Sequence, residues 1–84
     1  MTETEAIRCA MRDKRVSQAQ LAEMCGFKNQ SNVAMLLADN KKHGIRFDNF
    51  MKIMNALEFE VTITNINYTD QQYVIDGEYD GVFD

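Results

Sequence analysis

The apolar residues of this 84-residue chain change their spacing once, at Leu57, and that change limits the fold it can reach. Up to Leu57 they recur every three or four residues, the period of an amphipathic helix. Beyond it, "EFEVTITN" alternates Phe59, Val61 and Ile63 with Glu60, Thr62 and Thr64, the pattern of a strand with one buried face. "QQYVID" reads as a weaker second strand, and the turn-forming "NINYTD" between the two makes a hairpin the economical connection. The expected fold is mainly α, with four helices followed by one or two strands of a C-terminal β-hairpin. The length suits one domain with a small core.

Each helical segment carries its own signals. From about Glu3 to Lys14, Ile7, Ala10 and Met11 form an apolar stripe between charges. In "VSQAQL", Ser17 and Gln20 make a capping-box pattern, with Val16 and Leu21 placed as a hydrophobic staple. The second helix buries Leu21, Ala22 and Cys25 and stops at Gly26, which tolerates the left-handed backbone of a helix end. A third begins near Asn29 or Gln30 and buries Val33, Leu36 and Leu37. In the fourth, "FDNFMKIMNAL", the stripe is Phe47, Phe50, Met51, Met54 and Leu57, and Asp48 sits near the positive end.

Charge divides at the same place as the apolar period. Nine bases and six acids up to Leu57 leave +3, whereas seven acids and no base from Glu58 onward leave −7. The chain therefore reads as a helical part over residues 1–57, a hairpin over 58–76 and an acidic tail over 77–84. A lone hairpin is marginal in water, and an edge bearing Val61 and Ile63 tends to pair with another chain. Phe59, Val61, Thr62 and Ile63 are accordingly the expected dimerisation residues of a homodimer. The acidic C-terminal part is either a solubilising tail or a surface for a basic protein partner.

In "GFKNQSNVAMLLADN" a glycine turn leads into a polar helix start, and two short helices joined this way have the sequence form of a helix-turn-helix. Opposite Val33, Leu36 and Leu37 lie Ser31, Met35 and Ala38, flanked by Asn32 and Ala34, with Gln30 at the leading end. Gln and Asn offer the paired donor and acceptor that match adenine, Ser serves either role, and Met or Ala can contact a thymine methyl. Lys28 before the helix, and Lys41, Lys42, His43 and Arg46 in "KKHGIR" after it, can supply phosphate contacts, as can Gln18 at the start of the second helix. Capping and solvation account for the same residue types at Asn29 to Asn32 without any DNA.

The segments "SQAQLAEMCGF", "QSNVAMLL" and "FDNFMKIMNALEFEV" resemble the phage-repressor and Cro-type helix-turn-helix regulators over roughly Met11 to Ile63. The resemblance implies a lambda-repressor-like domain that binds double-stranded DNA as a transcriptional repressor. It also implies that Gln18 grips a phosphate and that Gln30, Ser31 and Asn32 read bases. "ALEFEVTI" is similar to antitoxin and mobile-element members that pair this strand between subunits. The chain departs from the family pattern by one extra residue in "GFKNQSN", which can shift by one the residues that face the bases. It also lacks the Glu-x-Gly that often ends the recognition helix, and the Ser before the fourth helix is replaced near Arg46.

The alternative reading is an antitoxin or anti-repressor interaction protein whose acidic C-terminal part binds a protein partner, whereas an enzyme finds little support. One histidine, no phosphate-cradling glycine loop and no ligand cluster leave no catalytic constellation, so no enzyme, metal or cofactor is expected. Cys9 and Cys25 match neither a disulfide framework nor a zinc spacing and read as small buried hydrophobes. No apolar run reaches the roughly 18 residues of a membrane span, and the start "MTETEAIRCAMRDKR" carries acids where a signal peptide carries bases. A cytoplasmic location is expected.

Overall fold

The computed structural model of the chain describes residues 1–38 and 44–79. Four helices, α1 (Glu3–Lys14), α2 (Gln18–Cys25), α3 (Gln30–Leu36) and α4 (Phe47–Ala56), precede an antiparallel hairpin of β1 (Val61–Thr64) and β2 (Gln72–Ile75). The mainly helical architecture with a C-terminal hairpin is the one expected from the apolar period.

The helix starts follow from local chemistry. Thr2 caps α1 by accepting the Glu5 N–H at 3.2 Å. At α2 the capping box is complete: Ser17 Oγ accepts the Gln20 N–H at 3.1 Å while Gln20 Oε1 accepts the Ser17 N–H at 2.8 Å. α4 has no side-chain cap, and Asp48 in its first turn supplies the favourable negative charge.

Three of the four helices end in the same way. Arg15 (φ 56°), Gly26 (φ 79°) and Glu58 (φ 62°) adopt left-handed backbone after α1, α2 and α4. The N–H of the next residue then reaches back five positions, from Val16 to the Met11 carbonyl, Phe27 to Ala22 and Phe59 to Met54, at 2.8 to 2.9 Å. This is the Schellman closure, and it folds the following side chain back on the helix. Val16, Phe27 and Phe59 all pack against the core as a result.

That core is formed by Ile7, Ala10 and Met11 of α1, Leu21 and Ala22 of α2, Val33 and Leu37, and Met51, Ile53, Met54 and Leu57. α2 packs on α3 and α4, and α1 packs on α4. Phe47 departs from the expected stripe: it is 53% exposed, and Ile53 is buried on the same helix.

The hairpin departs further. Its register sets Val61 against Ile75, Thr62 against Val74, Ile63 against Tyr73 and Thr64 against Gln72. Val61, Ile63, Tyr73 and Ile75 thus share one face, the alternation read from the sequence. Yet only Val61 and Ile75 at the root are half-buried, and Ile63 and Tyr73 are 54% and 64% exposed. The expected buried face is not buried within the chain. Asn65 organises the turn: its N–H bonds the Gln71 carbonyl, its side-chain amide bonds Gln71 Oε1 and its Oδ1 accepts the Asn67 N–H.

Of the three left-handed positions, Glu58 is the least favourable occupant. A side chain in this backbone costs about 1–2 kcal/mol, and an acid at the negative end of α4 adds to that. Part of the gain from glycine is lost to its greater unfolded-state entropy. Glu58→Gly should therefore stabilise the protein by about 1 kcal/mol. Urea unfolding would read this as a higher midpoint with an unchanged slope.

Candidate nucleic-acid interface

The two helices of the motif meet through Gly26. A Cβ there would touch nothing within 4 Å, so the position requires glycine for its φ of +79° and not for room. Phe27 packs back on the core, and Lys28 stands exposed on the turn that leads to α3.

At the start of α3 the amides and hydroxyl are not spent on capping. Asn29 occupies the cap position with extended backbone, but its side chain accepts no helix N–H. Its Oδ1 accepts the Ser31 hydroxyl proton instead, which leaves its NH2 group as a donor. Val33 and Leu37 are buried and Leu36 half-buried, so the opposite side of the helix presents Ser31, Ala34 and Met35, while Gln30, seven positions before Leu37, is exposed at the leading end. Met35 is 70% exposed. Asn32 lies to the side, half-buried, and Gln18 is half-buried at the first position of α2. The structure therefore leaves Lys28, Asn29, Gln30, Ser31 and Met35 exposed on the turn and on α3, and Asn32 half-buried.

The basic residues after α3 are placed less completely. Lys41, Lys42 and His43 lie outside the described residues. Arg46 is described, and its guanidinium pairs with Asp48 at 3.1 Å, so part of its charge is already balanced. The pair is exposed, where such bridges contribute about 0–1 kcal/mol.

Two residues that no local pattern singled out fix the connection between α3 and α4. The Arg8 guanidinium donates to the Leu37 carbonyl at the end of α3. Glu3 Oε1 accepts the Ile45 N–H at 3.3 Å, just before α4. Both sit on α1, five residues apart, so the two ends of the connection are anchored to one helix. Their partners are 29 and 42 positions away in sequence, and apolar spacing carries no trace of them.

The expected dimerisation residues separate into two groups. Phe59 belongs to the core margin, with Lys14 Nζ 5.6 Å from its ring centroid, and it precedes the strand. It is not part of a free pairing surface. Thr62 and Ile63 are exposed on β1, and Val61 is half-buried at its root.

Among the described residues, no group of three or more His, Cys, Asp or Glu side chains is arranged to hold a metal, and no helix is long and apolar enough to cross a membrane. Comparison with family models, curated proteins and solved structures finds no match.

Burial pushes the Cys25 thiol up to about 11. At pH 8 the thiolate is then on the order of one part in a thousand, because the charged form is the one desolvation penalises. Cys25 should react with iodoacetamide about 100-fold more slowly than a free thiol at pH 8. Mass-spectrometric timing of its labelling measures this, and labelling at the free-thiol rate would contradict its burial.

Proposed function

We propose that this protein is a sequence-specific double-stranded DNA-binding regulator that acts as a homodimeric repressor by occupying its operator. The observation that carries this reading is the exposed polar face of α3. Gln30 is exposed, and Asn29 and Ser31 bond to each other and do not cap the helix, so capping does not account for these side chains. Gln30 offers the donor and acceptor pair suited to adenine, and Met35 offers an apolar surface suited to a thymine methyl. Lys28 supplies a cation at the leading end.

The dimer reading rests on the free edge of β1. The Asn65 N–H points into the hairpin, toward Gln71. Alternation along an antiparallel strand gives Ile63 and Val61 the same inward direction and turns the backbone groups of Thr62 and Thr64 outward. A two-fold pairing centred on Thr62 would set Val61 against Ile63 of a second copy and Glu60 against Thr64. Apolar side chains then meet apolar ones, and no carboxylate faces its own symmetry mate. A two-fold dimer presents two recognition helices, and successive major grooves on one face of DNA are roughly 34 Å apart.

A second reading treats the hairpin as an arm for a basic protein partner. It is favoured by Ile66, 88% exposed near the tip, within a segment that bears acids and no base.

Gln30→Ala should weaken binding to a site selected from genomic fragments by about 1–3 kcal/mol and leave binding to random duplex nearly unchanged. Equal losses on both duplexes would remove α3 from base reading. For the dimer, Thr62→Pro removes an outward N–H and spares the hairpin's own ladder, so an intact fold is expected with loss of self-association. Analytical sedimentation should show monomers together with weakened operator binding. A dimer that persists would place the interface away from β1.

A further inference from the structure

One face of the hairpin is covered at its root and bare beyond it. Val61 packs on the helical core together with Phe59, whereas Ile63 and Tyr73, on the same face and two residues nearer the tip, are 54% and 64% exposed. Pairing along the β1 edge does not by itself cover them. It is also small: an edge that advances about 13 Å, on a sheet about 10 Å deep, falls far short of the roughly 1,000 Å² of total burial that a specific interface needs.

A two-fold pairing centred on Thr62 decides what meets this face. Directly opposed residues of an antiparallel pair point to the same side of the sheet. Ile63 of the second copy, set against Val61, therefore lies on the side that the helical core already occupies at Val61. Tyr73 of the second copy, paired with that Ile63, stands one strand further out on the same side, about 10 Å from Val61. The two Val61 residues, each resting on its own helical core, are then about 7 Å apart along the strand direction, so the two helical parts flank one face of the sheet. Charge favours the same arrangement. Lys14 stands over the Phe59 ring at this margin, and the arriving hairpin bears acids and no base.

We propose that the Ile63 and Tyr73 face of each hairpin docks on the helical part of a second copy, at the margin formed by Phe59 and Lys14. The dimer is then held by this face as well as by the β1 edge. The inference rests on the two-fold pairing proposed above and names the surface that completes it.

The test uses the full-length protein. Tyr73→Thr removes the ring from this face, keeps strand propensity and lies on β2, away from the pairing edge. Val74→Thr changes the opposite face of the same strand. Sedimentation equilibrium gives the dimer dissociation constant of each protein, and circular dichroism checks that each is folded. Tyr73→Thr should raise the constant at least about tenfold, because a ring is lost from the interface in each copy, and Val74→Thr should match wild type. A mixture of isotope-labelled and unlabelled wild type then identifies neighbours by filtered NOE spectroscopy. The Tyr73 ring protons of one copy should contact Phe59 or side chains of residues 1–57 of the other. If Tyr73→Thr leaves the constant unchanged, or intermolecular contacts are confined to β1, edge pairing stands and the docked face is overturned, which leaves that face to a basic protein partner. Equal weakening by both variants overturns it as well, because the hairpin's own stability then sets the constant. If the wild type is monomeric at high micromolar concentration, the two-fold pairing itself fails and this inference falls with it.

Discussion

Helices of seven to twelve residues do not persist alone in water, because nucleation costs more than so few hydrogen bonds return. What holds these helices is the way they end. After α1, α2 and α4 a single left-handed residue reverses the chain, and the bond reaching back five positions seats Val16, Phe27 and Phe59 on the core. Each closure does two things at once: it satisfies carbonyls at the helix end, and it adds an apolar side chain to a core too small to spare one. The path of the chain out of α1, α2 and α4 follows from these three residues.

α3 is the exception, and its role follows from that. It is the shortest helix, with no side-chain cap at its start and no left-handed closure at its end. Its place is set from outside, by Val33 and Leu37 in the core, by packing on α2, and by Arg8 at the terminal carbonyl. A helix held by its neighbours does not need its own polar side chains for stability. Gln30, Ser31 and Met35 are therefore available to a ligand, and the proposed function depends on that.

The features legible in the sequence were those carried by neighbours along the chain. The capping box at Ser17 and Gln20, the glycine at Gly26 and the switch of period at Leu57 each involve residues within about five positions of one another, where local geometry decides the outcome. The features that were missed depend on distant partners. The spacing of Phe47 fits the core stripe, but its ring partner is Tyr79, 32 positions on. Arg8 and Glu3 looked like solvated charges on an amphipathic helix, and their bonds to Leu37 and Ile45 exist only once the helices are assembled. Ile63 follows the strand alternation correctly, yet alternation specifies a face and not what covers it. Phe59 fits that alternation too, but the reversal at Glu58 takes it out of the strand and onto the core.

The same distinction between local and distant charge bears on how a chain of net charge −4 could approach a polyanion at all. Net charge acts as a single quantity only when the charges lie within a screening length of the surface concerned. The molecule extends 42 Å along its long axis. A four-residue strand advances about 13 Å, so Asp70 beyond the tip of β1 stands further from the helical part than the roughly 8 Å over which salt leaves its field effective. Under the proposed function, Asp70 at the hairpin tip would be largely screened from a duplex on α3, and the helical part would act with the positive balance of its own residues. Asp76 and Glu78 lie on the stretch after β2 where the chain turns back and Tyr79 meets Phe47 of α4. Under the proposed function, the effect of the acidic half on a duplex would depend on where the fold places the carboxylates, more than on their number.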